Sequence, residues 1–254
     1  MDRFSGGLER LRKAGEAVLD LLLPRVCAAC GRPLQSSDVG VICGRCFSRV
    51  DPLPAPHCPR CGHPASAQQP CAWCALLPPF VRAVRSVCSA TSGTGPAIIA
   101  ALKYDGWPAA ADSIAERMAR LTWPRDVVEE RAALVPVPLA PARARERGYN
   151  QSELLARGLA ARWRVPVWSG CVERVRGTVT QTRLTPDERR RNVCGAFRAV
   201  PAAVSFRGAH LVLVDDVVTT AATLNECATA LHEAGARIVS YVTFGRAPAL
   251  GDRW

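Results

Sequence analysis

The chain has 254 residues, 48% of them hydrophobic, and a formal net charge of +11. That composition excludes an intrinsically disordered chain and fits one ordinary α/β domain plus a smaller module. The charge is carried almost wholly by arginine: Lys13 and Lys103 are the only lysines, and between Arg131 and Arg191 thirteen arginines stand against five acidic residues.

The first 24 residues read as an amphipathic helix. Leu8, Leu11, Gly15, Val18, Leu19 and Leu22 fall on one face, and Glu9, Arg10, Arg12, Lys13, Glu16 and Asp20 fill the rest. The longest apolar run there, Leu21 to Leu23, is too short for a membrane span or a signal-peptide core. Packing on the protein or on a partner is expected, with no membrane span and a cytoplasmic location.

Four CxxC pairs follow within 48 residues: Cys27 with Cys30, Cys43 with Cys46, Cys58 with Cys61, and Cys71 with Cys74. Two thiolates so spaced reach one metal, and two knuckles complete a tetrahedral shell, so residues 25–77 are expected to form a double zinc-ribbon module with two structural Zn2+ ions. Sequential pairing is the simpler assignment, with a cross-braced pairing left open. Few large apolar side chains lie between Cys27 and Cys74, so metal must stand in for a core. Cys88, Cys171, Cys194 and Cys227 are isolated and read as buried small residues. His57 and His63 are surplus to two complete shells.

Pro78 and Pro79 mark a linker to a second domain, residues 80–246. Val84 to Ala90 reads as a strand, Gly95 to Tyr104 and Ala109 to Leu121 as helices, and Ala133 to Val137 as a buried strand ending in prolines. Gln151 to Trp163 is expected to be a helix and Val165 to Trp168 a short strand. Leu211 to Val214 lacks polar alternation, as in a central parallel strand, and Asp215 and Asp216 end it. Thr219, Thr220, Ala221, Ala222 and Thr223 open a helical segment to about Ala234, with Gly235 as its C-cap and Ile238 to Phe244 as a last strand. Alternating strands and helices imply a parallel sheet, with ligands beyond its carboxyl edge.

Adjacent carboxylates accept hydrogen bonds from ribose hydroxyls, while the unpaired amides of a helix start attract phosphate. A Walker lysine is missing, since neither lysine follows a glycine. A phospho-acceptor domain would carry its acidic pair early and a lysine near its end. Gly93 and Gly95 begin a GxG whose third glycine position holds Ile98, so a dinucleotide fingerprint is unsupported.

The stretch LVLVDDVVTTAAT from Leu211 to Thr223 resembles the phosphoribosyl pyrophosphate signature of type I phosphoribosyltransferases. The chain as a whole resembles the ComF (ComFC/GntX) family of competence-associated, phosphoribosyltransferase-like proteins. Further matches are Lys103-Tyr104-Asp105-Gly106, Val135-Pro136-Val137-Pro138, Arg147-Gly148-Tyr149-Asn150-Gln151, and Glu188 to Val193 before Ala196-Phe197. One departure stands out: Ala221 occupies a position that is typically glycine in the family, where backbone freedom matters.

The resemblance implies a type I phosphoribosyltransferase-like fold. It implies that phosphoribosyl pyrophosphate, with Mg2+, binds at Asp215, Asp216 and Thr219 to Thr223. The loop around Val137 would face pyrophosphate, a mobile arginine-rich segment from Arg143 to Gln151, including Arg147, Asn150 and Gln151, would cover it, and Lys103 is a candidate phosphate contact. Gln181, Arg183, Arg189 and Asn192 are weaker candidates. Arg143, Arg145 and Arg147 are also candidates for nucleic-acid phosphates. Three functions follow: a component of DNA uptake engaging single-stranded DNA or a helicase-like partner, an active phosphoribosyltransferase on an unidentified acceptor, or a sensor binding the phosphoribosyl donor without turnover. Catalytic residues are not assigned.

Overall fold

The computed structural model describes residues 25–38, 40–64, 71–176, 191, 193–200 and 205–248. The expected amphipathic helix and the candidates Gln181, Arg183, Arg189 and Asn192 lie outside the described residues.

The described residues form six strands: β1 Val81–Ser89, β2 Arg131–Pro136, β3 Val172–Arg174, β4 Phe197–Ala199, β5 His210–Val218 and β6 Ile238–Arg246. The helices are α1 Gly44–Ser48, α2 Gly95–Lys103, α3 Ala110–Ala119, α4 Arg125–Glu130, α5 Pro141–Arg147, α6 Gln151–Trp163 and α7 Ala222–Glu233. A four-stranded sheet in the order β1-β6-β5-β2 is parallel throughout. The apolar run 211–214 lies at its centre because both faces are covered: Leu211 and Leu213 pack beneath α7, and Val212 and Val214 beneath α6 and α3. Helices α3 and α6 approach closely because Gly158 has no side chain, where a Cβ would lie 2.6 Å from that of Ala115.

Three expectations change. The strand does not end at Asp215 but runs to Val218 and carries both aspartates within it, because Asp215 pairs with Thr243 and Val218 with Arg246 of an equally long β6. Val165 to Trp168 contributes only a bridge, with Leu134 donating to the Pro166 carbonyl (2.9 Å) and Trp168 to that of Leu134 (2.9 Å). The antiparallel β3–β4 pair and helix α4 are additions, each too short for a periodic signal.

The four-cysteine groups settle the pairing. Cys27, Cys30, Cys43 and Cys46 converge in one group, and Cys58, Cys61, Cys71 and Cys74 in the other, each with its sulfurs within 4.8 Å. Sulfur separations of 3.8 Å (Cys27–Cys46), 3.9 Å (Cys30–Cys43), 3.5 Å (Cys58–Cys74) and 3.4 Å (Cys61–Cys71) match the edge of about 3.8 Å that a tetrahedron with Zn–S bonds of about 2.3 Å requires. The donor sets fit two structural zinc ions, paired sequentially. Neither histidine joins them: His57 Nε2 lies 3.0 Å from the Leu53 carbonyl, and His63 stacks on Trp73. Of the isolated cysteines, Cys88, Cys171 and Cys227 are buried, but Cys194 is exposed in the turn before β4.

The two groups sit on opposite faces of the sheet, the first among residues of α2 and α3, the second beside Val81, Tyr241 and α7. The segment at Pro78 is a packed joint, since the Arg60 guanidinium donates to the Pro78 carbonyl (2.9 Å) and to that of Val81 (3.0 Å). Among the described residues no helix is long and apolar enough to cross a membrane.

Candidate functional site

A cavity of about 330 Å³ opens beyond the carboxyl edge of the sheet, where open parallel sheets place their ligands. Strand β5 delivers Asp215 and Asp216, the turn after it Thr219 and Ala221, and the first turn of α7 Ala222, Thr223 and Leu224. The loop after β2 supplies Val137 to Ala140, α2 ends in Lys103 and Tyr104, α5 contributes Arg143 and Arg147, and α6 opens with Gln151 and Ser152. Thr220, Arg145 and Asn150 do not line the cavity.

The aspartates are not equivalent. Asp216 pairs with Lys103 at 2.7 Å. The Asp215 Oδ1 accepts the buried Ser152 hydroxyl (2.9 Å) and the Asp216 backbone N–H (2.9 Å). Burial pushes the Asp215 carboxyl up to about 6, against the opposing pull of Lys103 and the Ser152 hydroxyl. Burial likewise pushes the Lys103 ammonium down to about 8; Asp215 opposes that fall while Arg147 and Arg143 add to it. Lys103, Arg143, Arg147 and Arg174 face two carboxylates around the cavity, a balance that favours an anionic ligand.

The arginine-rich segment forms helix α5, ended by Gly148 in the left-handed conformation (φ 77°). Helical spacing separates its arginines: Arg143 and Arg147, four apart, share the cavity side, while Arg145 is exposed elsewhere. Arg147 donates to Gln151 Oε1 and lies over the Tyr104 ring. Asn150 caps α6 by accepting from the Ser152 N–H (3.0 Å) and donates to the Val137 carbonyl (3.0 Å). It therefore fixes the post-β2 loop against α6.

Two polar residues at the cavity were not marked by the sequence. Ser152 adjoins the flagged Gln151, but a serine near a helix start reads as ordinary. Arg174 ends a three-residue strand, lies 5.3 Å from the Phe197 ring centroid and lines the cavity together with the two aspartates; no pattern marks so short a strand.

Ala221 adopts φ 60°, ψ 9° at the start of α7. A left-handed residue is thus required there, and alanine meets the requirement at roughly 1 kcal/mol of strain. The first turn of α7 carries no acidic residue and Ala221 supplies no side-chain cap, so the positive end of the helix dipole there favours an anion. Ala221→Gly should raise stability by about 0.5 to 1 kcal/mol, read as a shift in denaturant midpoint at constant slope. A loss of stability would mean the alanine methyl is needed for packing.

Known proteins agree with this architecture. A double zinc ribbon domain model matches residues 18–75, and a phosphoribosyl transferase domain model matches residues 151–254. The DNA utilization protein YhgH of Salmonella typhimurium (strain LT2) is 35% identical over 230 residues, covering 86% of this chain and 96% of that protein. Competence protein F of Haemophilus influenzae is 37% identical over 115 residues, 45% of this chain and 50% of that protein. Competence protein ComFC of Bacillus subtilis is 27% identical over 200 residues, 76% and 79% of the two chains. Likeness that runs through both the zinc-ribbon module and the phosphoribosyltransferase-like sheet makes this chain a member of the ComF family.

Proposed function

We propose that the protein binds phosphoribosyl pyrophosphate with Mg2+ in the carboxyl-edge cavity and serves DNA uptake by engaging single-stranded DNA or a protein partner. The observation that carries the reading is the meeting of Asp215, Asp216 and the start of α7 in one cavity ringed by Lys103, Arg143, Arg147 and Arg174. Asp215 and Asp216 would accept the ribose hydroxyls, the turn from Thr219 to Thr223 the 5'-phosphate, and the arginines the pyrophosphate. Mg2+, when bound with the donor, would screen the pyrophosphate charge. The role in DNA uptake is supported by the competence and DNA-utilization relatives.

Calorimetric titration of zinc-loaded protein with phosphoribosyl pyrophosphate and Mg2+, followed by a salt series with a labelled single-stranded oligonucleotide, tests both halves. Saturable binding of the small ligand is expected. Oligonucleotide affinity should fall with a log-log slope of about −0.7 per neutralised phosphate, and replacing Arg143, Arg145 and Arg147 by Ala should flatten that slope for all sequences alike. Absence of heat with the small ligand would remove the pocket assignment. Absence of oligonucleotide binding at low salt would return the arginines to a small anionic ligand.

A further inference from the structure

Beside the main cavity lies a depression of about 170 Å³, lined by Lys103, Tyr104, Gly106, Arg143, Glu146 and Arg147. It shares Lys103, Tyr104, Arg143 and Arg147 with the main cavity. Tyr104 is 63% exposed and is the one aromatic among the exposed large apolar side chains of the described residues. Its backbone is fixed at the end of α2, where its N–H donates to the Ala100 carbonyl (2.8 Å). The Arg147 guanidinium lies over the ring, 5.5 Å from its centroid. The space beside Gly106 is open, since a Cβ there would meet nothing within 4 Å.

A flat π face beside two arginines suits a nucleotide better than a bare phosphate, which gains nothing from an aromatic ring. A protein partner would ask for a contiguous apolar centre, and the other exposed large apolar residues, Val128 and Val175, line neither cavity. We infer that Tyr104 is a stacking platform for a base of single-stranded nucleic acid whose adjoining phosphates lie on Arg143 and Arg147. The inference rests on the nucleic-acid half of the function proposed above and supplies its missing base contact.

Tyr104→Ala and Tyr104→Trp are compared with wild type by anisotropy of a labelled single-stranded oligonucleotide across a salt series. The Ala variant should bind about tenfold or more weakly at every salt concentration. It should keep the wild-type slope, because an uncharged contact releases no counterions. The Trp variant should retain wild-type affinity, and a 2-aminopurine oligonucleotide should be quenched by wild type and not by the Ala variant. Wild-type affinity in the Ala variant, a loss seen only as a changed slope, or no oligonucleotide binding by wild type would overturn the inference. Titration of wild type with phosphoribosyl pyrophosphate and Mg2+ on the same preparation reports separately on the pocket, so the two failures are distinguishable.

Discussion

Stripping zinc from the two four-cysteine sites should unfold the amino-terminal module and loosen the sheet it braces. Structural zinc contributes roughly 10 to 16 kcal/mol of apparent binding energy per site in small metal-dependent folds, as much as the whole stability of an ordinary domain. Wild type should carry about two zinc ions per chain by native mass spectrometry, and Cys27→Ser or Cys58→Ser should each lower that to about one. The consequences should differ by site. The first group is tied to the start of α2 through the Thr94 hydroxyl, which donates to the Cys46 carbonyl (2.5 Å). The second is tied to α7, since Asn225 donates to the Leu76 carbonyl (2.7 Å) and accepts from the Tyr241 hydroxyl (3.0 Å). Cys58→Ser should therefore weaken phosphate binding at the start of α7 more than Cys27→Ser does. Metal-free protein with its thiols paired as disulfides, or a Cys58→Ser variant that melts like wild type, would remove the structural role.

Asp215→Asn and Asp216→Asn should move stability in opposite directions while both weaken ribose-phosphate binding. Asp215 is held in its charged form at a cost, for burial raises it from 3.8 to about 6. A carboxyl raised on folding adds stability below its unfolded value and loses it as pH rises through the folded value. Asn still accepts from Ser152, so Asp215→Asn should stabilise the protein by roughly 1 to 3 kcal/mol at pH 8, with the gain vanishing below about pH 4. Asp216→Asn instead strands Lys103 beside the cavity and should destabilise by roughly 1 to 3 kcal/mol. That falls short of a fully buried broken pair because Lys103, held near 8, can release its proton. Each change should weaken phosphoribosyl binding by roughly 1 to 3 kcal/mol, and wild-type affinity should strengthen as pH rises through about 6. Thermal melts and titrations at pH 4, 6 and 8 separate these effects. Unchanged affinity in the double variant would end the ribose assignment.

The legible parts of this protein were those whose physics is local. Four evenly built knuckles declare their metal because two thiolates two residues apart have few other uses in series. The run Leu211 to Val214 declares a covered strand because alternation is absent. The site was legible where one segment carries several of its groups, as from Asp215 to Thr223. It was opaque where groups arrive singly from different elements. Arg174 comes from a strand too short to show a period, and the Ser152 contact to Asp215 spans 63 positions. The arginines from Arg143 to Arg147 read as one cluster, yet a helix assigns them to different sides. Asn150 shows the same limit from the other direction: it belongs to the matched motif, and the fold uses it as a cap and a brace.

Strand β1 forms one margin of the sheet, and its outward backbone groups are met by the zinc-binding module. Val84 donates to the Arg60 carbonyl (3.0 Å), Ser89 donates to that of Asp51 (2.9 Å), and the Arg60 guanidinium takes the Val81 carbonyl. At the other margin the Leu134–Val167 bridge covers β2. An uncovered β margin is a template on which further chains can add strands. The cysteine module thus acts as a stopper on the sheet, and zinc bound at its four-cysteine sites would, by holding the module folded, also keep that margin from pairing with neighbouring molecules.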